Sequence, residues 1–123
     1  MTFSEEWARC APWIESALGP GGGFYTLDEV HDLIVCGDAT FWPGKRSAIV
    51  TQFWRFPRQK ALHYWLVGGD LDEILEDMQP VLEAWARDHG CDLIVSAGRK
   101  GWERALKPYG HVPLWTALVK ELP

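Results

Sequence analysis

The chain lacks the features that would tie it to a membrane or hand it a ready-made catalytic motif. No apolar run approaches the roughly 18–20 residues that cross a bilayer. The opening Met1-Thr2-Phe3-Ser4-Glu5-Glu6 is acidic where a signal peptide would be basic and then apolar. Cysteine is scarce: Cys10, Cys36 and Cys91 stand far apart, in no metal-ligand spacing, and read as reduced, buried residues of a cytoplasmic protein. His31, His63, His89 and His111 form no His-x-x-x-His pair, so no metal site is expected. Ser96 sits outside any Gly-x-Ser-x-Gly elbow, which removes the hydrolase nucleophile. The glycine run at 19–23 precedes no helix bearing a Lys-Ser/Thr pair, so it reads as a loop rather than a phosphate cradle.

What is present begins with aromatics. In 123 residues there are eight Trp, three Tyr and five Phe, enough for a filled core and some exposed aromatic surface. The length suits one domain, 1–123. The net charge of −5 is unevenly spread. Residues 1–38 hold seven acids against Arg9 alone; residues 39–69 hold Lys45, Arg46, Arg55, Arg58 and Lys60 and no acid. Residues 70–92 then hold eight acids against Arg87, and the remainder carries a basic excess of three. Such separate acidic and basic surfaces suit docking onto a partner.

The organising stretch is residues 61–74, read as a strand, a glycine turn and a helix start. Leu62, Tyr64 and Leu66 alternate with Ala61, His63, Trp65 and Val67, so both faces are apolar enough for a central strand. Gly68-Gly69 allows a sharp turn, and Asp70 with Glu73 three residues on reads as a capping box. Before it come a helix capped by Ser4 and interrupted at Pro12, a helix opened by Thr26-Leu27-Asp28-Glu29, and two strands, Ala39 to Trp42 and Ser47 to Phe56. Short connections make these two and the organising strand an antiparallel meander. After it come a helix over 70–89 split at Pro80, a strand from Cys91 to Ala97 parallel to the organising one, a short helix from Arg99 to Lys107, and a last strand, Val112 to Leu122.

This order resembles the GNAT superfamily of acyl-CoA-dependent N-acyltransferases. The residues that carry the resemblance are Leu93-Ile94-Val95-Ser96-Ala97-Gly98, then Trp102-Glu103-Arg104-Ala105-Leu106-Lys107-Pro108-Tyr109-Gly110-His111 and the closing strand. With its Trp-rich start and Arg99-Lys100-Gly101-Trp102 element, the chain also looks like small GNAT-like proteins of tailed-phage and prophage genomes. The resemblance implies an α/β domain, a mixed twisted sheet of about five strands with helices on both faces. It implies an acyl-CoA site between the central strand and the long helix, built in the family on an Arg/Gln-x-x-Gly-x-Gly/Ala loop. Here that place holds Val67-Gly68-Gly69-Asp70-Leu71-Asp72-Glu73, short of the basic residue and the spaced glycines. Its carboxylates would oppose a pyrophosphate by about 1 kcal/mol per pair. Where many members carry a Tyr as general acid, four residues before the final-turn glycine, this chain has Leu106.

Two functions follow as expectations. One is a structural or interaction protein without a cofactor, a virion or assembly component of a phage or prophage, with protein partners or self-association and a place in the cytoplasm or the particle. The other is an N-acetyltransferase with an altered acetyl-CoA loop. In that case Gly68 and Gly69, and more weakly Arg99 and Lys100, would approach the cofactor, with His63 or Glu73 as base and Tyr109 as acid. Gln52 to Lys60 interleaves aromatic and basic residues, marking Trp54, Arg55, Arg58 and Lys60 as a partner surface. The same pattern would suit single-stranded nucleic acid, but the negative net charge removes the main driving force for that.

Overall fold

The computed structural model describes residues 1–19, 23–97 and 101–123. Helices α1 (Phe3–Leu18) and α2 (Leu27–Val35) lead into strands β1 (Thr40–Pro43), β2 (Ser47–Arg55) and β3 (Lys60–Gly69). A helical segment follows as α3 (Leu71–Glu73), a π-helical turn (Ile74–Met78) and α4 (Gln79–Asp88). Strand β4 (Leu93–Ser96), helix α5 (Gly101–Leu106) and a 3-10 turn (Lys107–Tyr109) complete the described elements. The sheet runs β1-β2-β3-β4, antiparallel through β3 and parallel from β3 to β4. The meander and the parallel crossover therefore form as their connection lengths dictate.

Several local expectations are corrected. Thr2, not Ser4, caps α1 by accepting the Glu5 amide, and the helix runs through Pro12 without a break. Pro12 lies on the exposed side, where a missing N–H leaves no buried acceptor. Pro80 does not split the long helix at its own position. It sits in the first turn of α4, and the irregularity lies upstream as the π turn, where the Gln79 amide reaches back to the Ile74 carbonyl. Cys36 is exposed, unlike Cys10.

The sheet has four strands, not about five. Residues 112–123 form no strand, and among the described residues nothing pairs with the outer edge of β4. The reason lies at Trp115. Its ring stacks on Trp54 at 6.2 Å and meets Phe56 at 6.4 Å, which commits the segment to the β2 side of the sheet.

Two apolar layers enclose the sheet. Cys10, Ile14 and Val30 from α1 and α2 pack on Ala48, Val50 and Leu66. On the other face Ile74, Met78, Leu82 and Ala86 pack on Ile49, Leu62 and Tyr64. Burying a side chain such as Ile14 or Leu82 stabilises the fold by about 2–3 kcal/mol. Most tryptophans edge these layers: Trp7, Trp13 and Trp65 on the first face, Trp42, Trp85 and Trp102 on the second. The aromatic excess is thus largely packing.

The turn between β1 and β2 is gripped from both sides. Arg9 of α1 donates to the carbonyls of Gly44 at 2.7 Å and Lys45 at 3.0 Å, and is itself paired with Glu6. Glu73 accepts from the amides of Lys45 at 3.2 Å and Arg46 at 2.9 Å and from the Ser47 hydroxyl. Glu73 is only 5% exposed. Burial alone would raise its pKa, but the Ser47 and Arg46 hydrogen bonds, the Arg46 charge and the Lys45 amide outweigh it and hold the carboxyl below its ordinary 4.5.

His63 lies on the α1 side of β3, 4% exposed, against Trp54 at 4.0 Å, and neither ring nitrogen has a partner among the described residues. Burial lowers its pKa from 6.5 to about 4, so it is neutral at physiological pH.

Replacing Glu73 by Gln should cost on the order of 2–3 kcal/mol, since the turn's donors lose a charged acceptor; the urea midpoint checks it. The Glu73 contribution is complete above its unfolded pKa near 4.5 and disappears as pH falls through the lower folded value. His63 acts in an earlier window. Because the unfolded chain takes up its proton first, stability should decline as pH falls from 6.5 towards about 4. Thermal melts of a His63→Phe variant should lack that decline.

Candidate ligand site where β3 and β4 part

The sequence places a parallel strand pair at the centre of the fold, and ligands of such sheets gather at the carboxyl ends of the strands. Here β3 and β4 pair only from Ala61 with Leu93 to Tyr64 with Ser96. β4 ends there while β3 continues to Gly69, so the two part above Tyr64. The parting coincides with a β-bulge. Val50 faces Leu66 and Thr51 faces Tyr64, leaving Trp65 as an extra residue on β3. The bulge turns Trp65 and Leu66 toward the α1–α2 layer together.

A cavity of about 370 Å³ occupies the wedge, with Tyr25, Tyr64, Trp65, Ser96, Trp102 and Leu106 among its walls. A second, of about 380 Å³, adjoins it over Ser16, Gly68, Gly69 and Leu71. Ala17, Val67, Ile74 and Trp102 line both, so the two form neighbouring parts of one trough. The π turn that begins at Ile74 borders both parts.

The first cavity is apolar with two polar points. The buried hydroxyls of Tyr64 and Ser96 have no partner among the described residues. Burial, and secondarily the charge of Glu83, pushes the Tyr64 pKa well above its ordinary 10, so the phenol keeps its proton. Two neutral O–H groups at the edge of an apolar cleft can donate to a carbonyl or similar acceptor. Gln79, which also lines the cavity, is engaged by His111 at 2.9 Å.

At the top of β3 the glycines are required by packing. A Cβ on Gly68 would come within 3.0 Å of the Trp13 backbone, and one on Gly69 within 3.0 Å of the Arg46 and Ser47 backbone. Gly69 also has φ +107°, a conformation that side chains resist. Asp70 then caps the helix, accepting the Glu73 amide at 3.1 Å while Arg46 donates to its other oxygen at 3.0 Å. The amide bonds, led by that of Glu73, together with Arg46 hold the Asp70 carboxyl below its usual pKa, against the pull of desolvation. The expected capping box is corrected in one half. Glu73 does not return to the Asp70 amide, which donates to the Arg46 carbonyl at 3.0 Å; Glu73 turns to the β1–β2 turn instead. An internal carboxylate thus occupies the helix start, and the groups present there do not fit a pyrophosphate.

The residues singled out in the sequence disperse. His63 is buried on the sheet face away from α4, Glu73 is engaged by the turn, and Tyr109 is exposed in the 3-10 turn; none of the three lines the trough. Leu106, at the position where the sequence resemblance implied a tyrosine, is buried and forms part of the cavity wall. Arg99 and Lys100 lie outside the described residues. Trp54 is sandwiched between His63 and Trp115, and Lys60 donates to the His89 carbonyl at 2.6 Å over the Phe53 ring. Arg55 and Arg58 are exposed. Sequence reading missed Tyr64 and Ser96 as site residues. Period-two alternation makes Tyr64 a core residue, and the only hint was a phenol that needs a partner wherever it is buried.

Among the described residues no cluster of His, Cys, Asp or Glu could hold a metal, and no helix is long and apolar enough to cross a membrane. No family model matches the sequence, and no curated protein does. Among solved structures, the chain is similar to a crystal structure of an acetyltransferase from Trypanosoma brucei, with 12% identity, a TM-score of 0.57 and 78% of each chain covered. The likeness is one of fold: a mixed sheet with helices packed on both faces.

Proposed function

We propose that this chain uses an acetyltransferase-like scaffold as a binding and docking protein rather than to transfer acyl groups. The observation that carries the reading is Asp70, whose carboxylate takes the helix-start amides and is fixed there by Arg46. A ligand phosphate would have to displace it and would still face Asp72. The exposed Arg55 and Arg58 on the β2–β3 turn give an acidic protein partner a cationic edge. The resemblance to small tailed-phage proteins makes the assembly or particle of a phage the setting for such docking.

A second reading, N-acyl transfer from acetyl-CoA, is favoured by one feature: the wedge between β3 and β4 with its unpartnered Tyr64 and Ser96 hydroxyls. On that reading the trough takes the acyl end of the cofactor and the amine, and the two hydroxyls orient a carbonyl.

Calorimetry with acetyl-CoA separates the readings. The docking reading expects no heat and no thermal shift with the native chain. It expects binding at least about tenfold tighter in an Asp70→Asn, Asp72→Asn double variant, since asparagine still caps and two repulsive charges are gone. Micromolar binding by the native chain would overturn it. The transfer reading expects thiol release from acetyl-CoA with a primary amine, reduced about tenfold or more by Tyr64→Phe. Equal release with and without protein would dismiss it.

A further inference from the structure

The C-terminal segment is the part of the molecule whose local preference and surroundings disagree most. Residues 112–122 read Val-Pro-Leu-Trp-Thr-Ala-Leu-Val-Lys-Glu-Leu. Leu114, Thr116, Leu118 alternate with Trp115, Ala117, Val119, so both faces suit a strand covered on two sides. Yet Leu118 is 92% exposed, Val119 82% and Leu122 86%. In a chain whose other elements follow their local preferences, such a conflict signals a missing partner.

The complementary half is in the same molecule. β4 is the last strand of the sheet, and its outer edge has no partner among the described residues. That edge is short, neutral from Leu93 to Ser96, and carries no proline or charge to discourage pairing. Trp115 meanwhile anchors its segment against Trp54 and Phe56, and no residue beyond it joins the sheet. Each chain thus presents one unsatisfied strand and one unsatisfied edge. A foreign partner would satisfy one of them; a second copy satisfies both, through one closed two-fold contact.

We propose that residues 116–122 of one copy add as a strand to the β4 edge of a second copy, and that the exchange is reciprocal. Seven extended residues reach about 23 Å, more than the length of a four-residue edge. Leu118, Val119 and Leu122 become covered in the pairing, and Trp115 serves as the hinge-side anchor. The inference is independent of whether acetyl-CoA binds.

Sedimentation velocity and light scattering on the full chain, from about 1 to 100 µM, should show a concentration-dependent dimer. Amides 116–122 should gain hydrogen-exchange protection as the dimer forms. Deleting 116–123, or introducing Leu118→Asp in the full-length chain should that deletion misfold, should yield a monomer with unchanged far-ultraviolet circular dichroism. A monomer throughout the range overturns the proposal, whether amides 116–122 exchange freely or are protected by their own sheet. A dimer that survives both variants overturns it as well.

Discussion

The structure depends on the grip around the β1–β2 turn. The three-residue connection Gly44-Lys45-Arg46 exposes carbonyls on one side and amides on the other, and the chain answers each with a side chain of the right charge. Arg9, the one basic residue of the acidic first stretch, reaches the carbonyls of Gly44 and Lys45. Glu73, buried under the long helix, takes the amides of Lys45 and Arg46 and the Ser47 hydroxyl. Helices on opposite faces are thereby tied to one turn, which registers both layers on the sheet. The charge segregation read from the sequence finds much of its purpose here: acidic helices bracket a basic, acid-free turn.

That grip has a consequence for the site. With Asp70 and Glu73 committed to Arg46 and the turn, the start of the long helix is neutralised from within. Gly68 and Gly69 keep α1 and the turn close against β3 rather than opening the backbone to a ligand. Beside that helix start, the bulge at Trp65 and the parting of β3 from β4 leave an apolar wedge with the Tyr64 and Ser96 hydroxyls at its edge. The fold therefore holds an apolar cleft beside a helix start that its own Asp70 carboxylate occupies.

Much of the element order was legible because it rests on local chemistry. The meander follows from short connections, the parallel step from the helical crossover, and the Thr26 capping box forms as its four residues imply. Less legible were features set by partners distant in sequence. Glu73 satisfies the spacing rule of a capping box, yet the turn 27 residues earlier in the chain offers it stronger donors. His63 alternates correctly for a strand, but nothing in its neighbourhood reveals that Trp54 covers it and that its nitrogens meet no donor or acceptor among the described residues. Residues 112–122 carry a strand pattern, and a pattern says nothing about which edge is free to receive it.

The sequence by itself determined the order of the first nine-tenths of the helices and strands, which faces are apolar and that no motif of a known chemistry is spelled out, because periodicity, caps and turn residues act within a few positions. Only the tertiary structure decided that the glycines serve close packing, that the expected base and acid candidates lie apart, and that Tyr64 and Ser96 meet at the wedge. Those outcomes depend on which buried polar groups find each other across the sheet, and the cost of leaving such a group unpaired is settled in three dimensions.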